Sequence, residues 1–313
     1  MAEVVTLGES MVVFVPEDTG PLRHADRFRR AVAGAESNLA IALCRLGHPA
    51  AWIGLLGEDE FGRYVWTTLR GEGVDLSGAR LDIRAPTGVM FKERSASGDS
   101  RVFYYRRGSA ASLLDEGDVP AAAIAGARWL HVTGITPALG PGPRRAVERA
   151  VRLARAAGRA VCFDPNYRAR LWDPAAARPV LLDLARQADL LVLGEEEGTL
   201  LFGDGGGIAE GGLALGCRIV AVKRGGRGAL LASADERVEV PAVPVAVVEA
   251  TGAGDAFAAG LLAGLIEGRP LAEAGRLGAL CGARACTVSG DWEGVPERQD
   301  ALRHLGGGRE WPR

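Results

Sequence analysis

Val248-Glu249-Ala250-Thr251-Gly252-Ala253-Gly254-Asp255-Ala256-Phe257-Ala258-Ala259-Gly260 is the stretch on which the reading of this chain turns. Two glycines and an alanine strip bulk from the backbone beside Asp255, and the small apolar run after it continues as a helix packed on a sheet. Backbone N–H groups at such a helix start converge on one point where the dipole favours negative charge, which is the layout of an anion site. An acid of the chain's own is out of place in a site meant for a bound anion unless it has chemistry to do. Asp255 can take a proton from a hydroxyl while the amides of Gly252, Ala253 and Gly254 hold charge that develops on a transferring phosphoryl group. Taken alone, the motif reads equally well as a helix capped by Thr251 or Asp255.

Upstream, Arg218 to Val222 reads as a buried strand, and Lys223-Arg224-Gly225-Gly226-Arg227-Gly228 is a glycine-rich cationic turn into the next strand, Ala229 to Ala232. Such a turn can lie along a triphosphate or be a plain β-turn. Strands also read at Ala188 to Leu193, Arg159 to Phe163 and Arg128 to Gly134, with a helix over Arg144 to Ala157. This strand–helix alternation predicts a doubly wound, mostly parallel α/β sheet flanked by helices. Polar residues at the carboxyl ends of such strands are where ligands bind: Asp164-Pro165-Asn166-Tyr167-Arg168 follows one strand, and Gly194-Glu195-Glu196-Glu197 another. Glu197 can hold Mg²⁺ directly or through water, or the three acids can simply favour a helix start. His131, inside an apolar strand, reads as a core residue.

Towards the N-terminus, Val4 to Glu9 and Met11 to Val15 are apolar strands. Gly34 precedes a helix, periodic from Ser37 to Gly47, that carries Asn38 one turn in, where its amide can meet a ligand hydroxyl. Glu58, Asp59 and Glu60 read as a helix cap. From Thr87 the pattern alternates, and Val89 to Phe91 and Arg101 to Arg107, joined by Ser95-Ala96-Ser97-Gly98-Asp99-Ser100, predict a hairpin laid over the main sheet. Tyr104 and Arg106, two apart, face the same way. A hydroxyl beside a guanidinium suits a sugar carrying a carboxylate, although a cross-strand pair on a solvated face would look the same.

Composition narrows the partner. With 48% hydrophobic and 24% charged residues, 313 residues are an ordinary globular chain, and a net charge of −2 leaves no footprint for nucleic acid or an acidic membrane. No apolar stretch reaches the ~18 residues a membrane span needs, and an acid stands where a signal peptide would carry positive charge. Cys44, Cys162, Cys217, Cys281 and Cys286 form no CxxC pair and read as buried, reduced thiols, so a cytoplasmic protein with a small-molecule partner is expected. Lys92 and Lys223 are the only lysines against a background of arginine, consistent with a codon bias, and a lysine that persists is informative. No G-x-G-x-x-G follows the first strand, which disfavours a dinucleotide oxidoreductase.

In order and spacing, Ala33-Gly34-Ala35 with Asn38 and Gly47, Gly57-Glu58-Asp59 with Gly62, Asp164 to Arg168, Lys223-Arg224-Gly225 with Gly228, and Thr251 to Asp255 together resemble the ribokinase-like (PfkB) carbohydrate kinases over nearly the whole chain. The resemblance implies one ribokinase-like α/β domain spanning 1–313 with a β-lid from about 10–32 and 84–110, and ATP with Mg²⁺. It implies an anion hole at Gly252, Ala253 and Gly254, Asp255 activating the acceptor hydroxyl, and a nucleotide near Lys223, Gly225, Gly228 and the segment around Cys281 to Cys286. Arg101 to Ala110, Asp164 to Arg168 and Gly290-Asp291-Trp292-Glu293-Gly294 look most like the 2-keto-3-deoxygluconate kinases of that family, which implies substrate contacts at Gly34, Asn38, Tyr104, Arg106, Arg168 and Asp291. Met90 stands where that pattern has an aromatic hydroxyl, and Gly194 where it has Asn or Ser. Fructokinase is the alternative within the class, and a non-catalytic sugar- or nucleotide-binding protein the alternative outside it. An apolar outer face on the lid would invite a homo-oligomer.

Overall fold

The computed structural model describes residues 1–94, 100–203 and 207–306. The predicted hairpin turn at 95–99 and the tail beyond Gly306 lie outside the described residues. Among the described residues fourteen strands run in chain order: β1 (Val4–Leu7), β2 (Met11–Pro16), β3 (Phe28–Ala33), β4 (Ala50–Ile53), β5 (Leu55–Gly57), β6 (Arg80–Asp82), β7 (Val89–Arg94), β8 (Ser100–Tyr105), β9 (Trp129–Thr133), β10 (Ala160–Asp164), β11 (Leu190–Gly194), β12 (Ile219–Lys223), β13 (Ala229–Ser233) and β14 (Arg237–Val240). The helices are α1 (Ala35–Arg45), α2 (Glu60–Gly71), α3 (Ala121–Gly126), α4 (Pro141–Ala156), α5 (Pro174–Ala185), α6 (Glu195–Phe202), α7 (Ile208–Ala214), α8 (Ala253–Ile266), α9 (Leu271–Ala285) and α10 (Arg298–Leu305).

Eight strands form the main sheet in the order β14-β13-β12-β11-β10-β9-β1-β4. The pairs from β4 to β12 are parallel, and β13 and β14 join antiparallel at one edge. Parallel strands need both faces covered. One face packs Trp52 and the α1, α8 and α9 residues Leu39, Leu43, Leu261 and Leu277; the other packs Phe163 and Leu130 against Val147, Val151 and Leu181 of α4 and α5. This is the doubly wound architecture expected. No described helix is long and apolar enough to cross a membrane.

The second sheet, the lid, runs β3-β2-β7-β8, with β2 and β7 parallel and the outer pairs antiparallel. Met11, Val13, Val15, Ala31, Ala33 and Met90 bury its inner side, while Phe14, Phe28 and Phe91 cluster on the other. Asp59 caps α2 by accepting from the Gly62 amide at 2.7 Å, as read. His131 is a buried core residue whose Nδ1 lies 3.3 Å from Cys162 Sγ. The thiol expectation needs correction. Cys162, Cys217 and Cys281 are buried, but Cys44 and Cys286 are only half-buried, because each sits at or near a helix end rather than against the sheet.

Candidate active site

A cavity of about 300 Å³ opens between the lid and the carboxyl ends of the parallel strands. Of the residues singled out from sequence, Gly34, Asn38, Tyr104, Arg106, Arg168, Glu197, Lys223, Gly252, Gly254, Asp255 and Asp291 all line it. Seven elements or loops, the first and last more than 250 residues apart in the chain, therefore meet in one place.

The turn that opens α8 owes its shape to Gly252. Its φ of +78° is left-handed, and a Cβ there would lie 1.8 Å from the carbonyl oxygen of Asp291, so no other residue fits. Gly254 follows, and a Cβ on it would come within 3.2 Å of Lys223 Nζ. The first-turn amides of a 14-residue helix and a lysine ammonium thus face the same space, an anion site in geometry and sign.

Asp255 lies in this first turn. Its Oδ2 accepts from Asn38 Nδ2 at 2.9 Å and its Oδ1 from Asn166 Nδ2 at 3.3 Å. Asn166 is the one non-glycine among the described residues with positive φ, at 41°. Asn tolerates that region, and its backbone N–H bonds Asp164 Oδ1 at 3.0 Å, an Asx turn that aims the amide at Asp255. Removal from water pushes the Asp255 carboxyl up to about 7; the Asn38 bond opposes the rise, the nearby Asp164 charge adds to it, and Lys223 and Arg168 oppose it. A carboxylate poised near neutrality is suited to taking a proton from a hydroxyl.

Lys223, at the end of β12, donates to Asp164 Oδ2 at 2.6 Å. Burial alone would lower its pKa, but Asp164 and Glu197 more than offset this, and the ammonium stays charged. Glu197 is doubly engaged: Oε2 accepts from the Gly194 amide at 2.7 Å and Oε1 from the Tyr167 amide at 2.8 Å. Glu197 thus closes the start of α6, the helix-start reading of this acid, and it also lines the cavity. Burial and the Asp164 charge raise its pKa.

The two arginines expected for a carboxylate differ. Arg106 points inward with Tyr104, its guanidinium 5.5 Å from the ring centroid, but it is already paired. Its Nε donates to Glu9 Oε2 at 2.6 Å, its Nη2 contacts the same carboxylate, and Ser109 Oγ donates to Glu9 Oε1 at 2.7 Å. Arg168 is exposed at the cavity rim and donates to the Tyr167 carbonyl at 3.2 Å; among the described residues no carboxylate lies within ion-pair distance of it. Met90 is buried in the lid opposite Tyr104.

Three expected nucleotide or anion residues do not line the cavity. Ala253 sits in the helix start itself. Gly225 and Gly228 belong to the tight turn between β12 and β13, and Gly228, at φ +86°, is needed because a Cβ would lie 2.0 Å from the Val240 carbonyl oxygen. Arg224 and Arg227 of the same turn pair with Glu195, and Arg224 also with Glu239. Sequence reasoning assigned no individual role to Glu9, Asn166, Asp164 or Lys92, although Asp164 and Asn166 fall in the strand-end stretch read as a place for ligands. Lys92 carried a signal, as one of only two lysines, and both line the cavity.

A doubly wound sheet with a helix-start anion turn, an acid in that turn and a β-lid over it is the apparatus of a ribokinase-like sugar kinase. Residues 1–298 match the family model described as pfkB family carbohydrate kinase, and the chain belongs to that family. A 2-dehydro-3-deoxygluconokinase of Bacillus subtilis (strain 168) is 37% identical over 308 residues, covering 97% of this chain and 95% of its own. Among solved structures, an E. coli protein provisionally assigned as ribokinase II, in complex with ATP and Mg²⁺, superposes with a TM-score of 0.92 at 28% identity, covering 98% of this chain and 99% of its own. A fructokinase of Vibrio cholerae O395 with fructose, ADP and calcium bound gives 0.85 at 29% identity, covering 97% and 99%.

Proposed function

We propose that this carbohydrate kinase transfers the γ-phosphoryl group of ATP to a hydroxyl of a keto sugar acid, 2-keto-3-deoxygluconate, giving its 6-phosphate. The observation that carries the reading is Asp255, held by the amides of Asn38 and Asn166 within the anion turn, with Arg168, which has no carboxylate partner among the described residues, at the rim of the same cavity. Asp255 takes the proton of the acceptor hydroxyl as its oxygen attacks the γ-phosphorus, and the bond to the bridging oxygen of ADP breaks. The amides from Gly252 onward and Lys223 face the charge on the transferring group. Asn38 Oδ1, buried without a partner among the described residues, is placed to accept from a sugar hydroxyl.

Magnesium would arrive with the nucleotide. Among the described residues no group of three or more metal-ligating side chains forms a cage, and the Glu197 oxygens are already hydrogen-bonded. That suits a Mg²⁺ ion held by phosphates and water, with Glu197 acting through water, and the ion would neutralise phosphate charge. The nucleotide base would lie beyond the cavity, along Lys223 to Gly228 and towards Cys281 to Cys286. The whole chain would act as one ribokinase-like domain with its lid. Phe103 and Tyr105, exposed on the lid, would favour a homo-oligomer through it, a state that light scattering would register.

The test is a kinase assay on 2-keto-3-deoxygluconate, its galactonate epimer, fructose and ribose, repeated with Arg168→Ala. Recognition of a carboxylate requires that this variant raise KM for the acid by about tenfold or more, since a charge-assisted pair is lost, and leave a neutral sugar unaffected; an unchanged KM for the acid would sink the reading. The Glu9–Arg106 pair favours a second reading, fructokinase, because it leaves one cation rather than two for a carboxylate.

A further inference from the structure

Lys92 has no part in the reaction as described, yet it is among the largest fully buried side chains of the molecule, 1% exposed on the inner face of β7. Its Nζ donates to Asp291 Oδ1 at 2.8 Å and to Glu249 Oε1. Burial alone would lower its pKa, but the two carboxylates more than offset this, so the lid carries a permanent buried charge. Such a charge is costly to desolvate, and hydrophobic residues of the same volume would fill the position with less strain on stability.

The two acids it grips are the two walls of the anion turn. Glu249 Oε1 also accepts from Thr251 Oγ1 at 2.8 Å, its Oε2 from the Gly290 amide at 3.3 Å, and its own N–H, with that of Val248, donates to the Cys286 carbonyl. Asp291 supplies the carbonyl that presses on Gly252. The left-handed turn at Gly252 therefore sits between Glu249 on the approaching chain and Asp291 on the far loop, and one lid lysine joins them. Two further bonds tie the lid to this loop, Arg29 Nη2 to the Ser289 carbonyl at 2.8 Å and Trp292 Nε1 to the Val32 carbonyl at 3.0 Å. Losing Lys92 alone does not detach the lid.

We propose that Lys92 is a positioning residue for phosphoryl transfer, setting the Thr251–Gly252 turn from the lid through Glu249 and Asp291. Catalytic geometry at the turn then depends on the lid being seated, and the lid does more than cover the sugar. The inference rests on the turn acting as the anion site in the proposed reaction, whichever sugar is the acceptor.

A double-mutant cycle tests it, using Lys92→Met, Glu249→Gln and the pair, with the sugar that the wild type turns over best. Glu249→Gln keeps its shape and leaves Lys92 paired with Asp291, so it serves if Lys92→Met does not fold. A shift of about 1 Å at the reacting atoms costs about 100-fold, so each single variant is expected to lower kcat by about that much, with sugar KM changed far less. The double variant is expected to be no worse than the weaker single, because both remove one joint. The proposal is overturned if kcat of Glu249→Gln stays within about threefold of wild type, if the two effects multiply, or if the loss falls on sugar KM alone. Should the preferred sugar be fructose, the substrate reading fails while this cycle runs unchanged.

Discussion

Replacing Asn38 by alanine probes the base directly. Asp255 has its carboxyl pushed up to about 7, so in the free enzyme kcat/KM is expected to rise with pH through that region and to fall about tenfold per unit below it. Asn38 Nδ2 donates to Asp255 Oδ2 at 2.9 Å and favours the ionised form. A hydrogen bond to a charged group contributes about 1.5–3 kcal/mol, and about 1.4 kcal/mol corresponds to one pKa unit. Asn166 and Lys223 remain in the variant, so the lower end applies and the limb should move up by about one unit. At pH 6 Asn38→Ala then loses about tenfold more than at pH 9, where what persists is the lost sugar contact. The assay is kcat/KM for the sugar at saturating ATP from about pH 5.5 to 10. A limb that stays in place, or moves down, refutes the assignment of Asp255 as the titrating base.

Asp255→Asn should remove that limb and lower kcat by about 10²–10⁴-fold, the usual range for a lost general base; equal activity of variant and wild type would leave Asp255 a helix cap. The same variant should be more stable. The unfolded carboxyl ionises near 4 and the folded one near 7, so the native state binds more protons in that window and stability falls as pH rises through it. A melting temperature higher by roughly 2–4 °C at pH 8, with the gain vanishing near pH 4, is expected by calorimetry. Gly252→Ala places a Cβ against the Asp291 carbonyl at a positive φ and should cost about 100-fold or more in kcat, read alongside circular dichroism to confirm the fold.

Much of this site could be read because its signals are local. Small residues around Asp255, a glycine before the helix of Asn38, and alternation placing Tyr104 beside Arg106 are each written within a few positions, and the structure brings all of them to one cavity. What could not be read depends on distance or on backbone shape. Lys92 finds Glu249 157 positions away and Asp291 199 away, and no periodicity encodes such a partner. Asn166 becomes useful only through a positive φ that the Asx turn imposes. Arg106 looked free because its counter-ion, Glu9, lies 97 residues upstream at the end of a strand that gave no hint of the lid. The glycines of the cationic turn were visible, but the reason for Gly228 is the close approach of the Val240 carbonyl, a packing demand that glycine-rich phosphate loops imitate in sequence.

The scarcity of lysine has a practical meaning. With the surface cations supplied by arginine, the only primary amines of the sequence besides the terminal one are Lys92 and Lys223, and both line the cavity. Besides the exposed α-amino group of Met1, amine-directed reagents such as activated esters or aldehydes therefore have only these two cavity ammoniums to reach, and both are held charged by carboxylates until the cavity opens. Their rate of incorporation becomes a clock for how often the sheet over the cavity lifts, and protection by a bound ligand becomes a binding assay that needs no turnover.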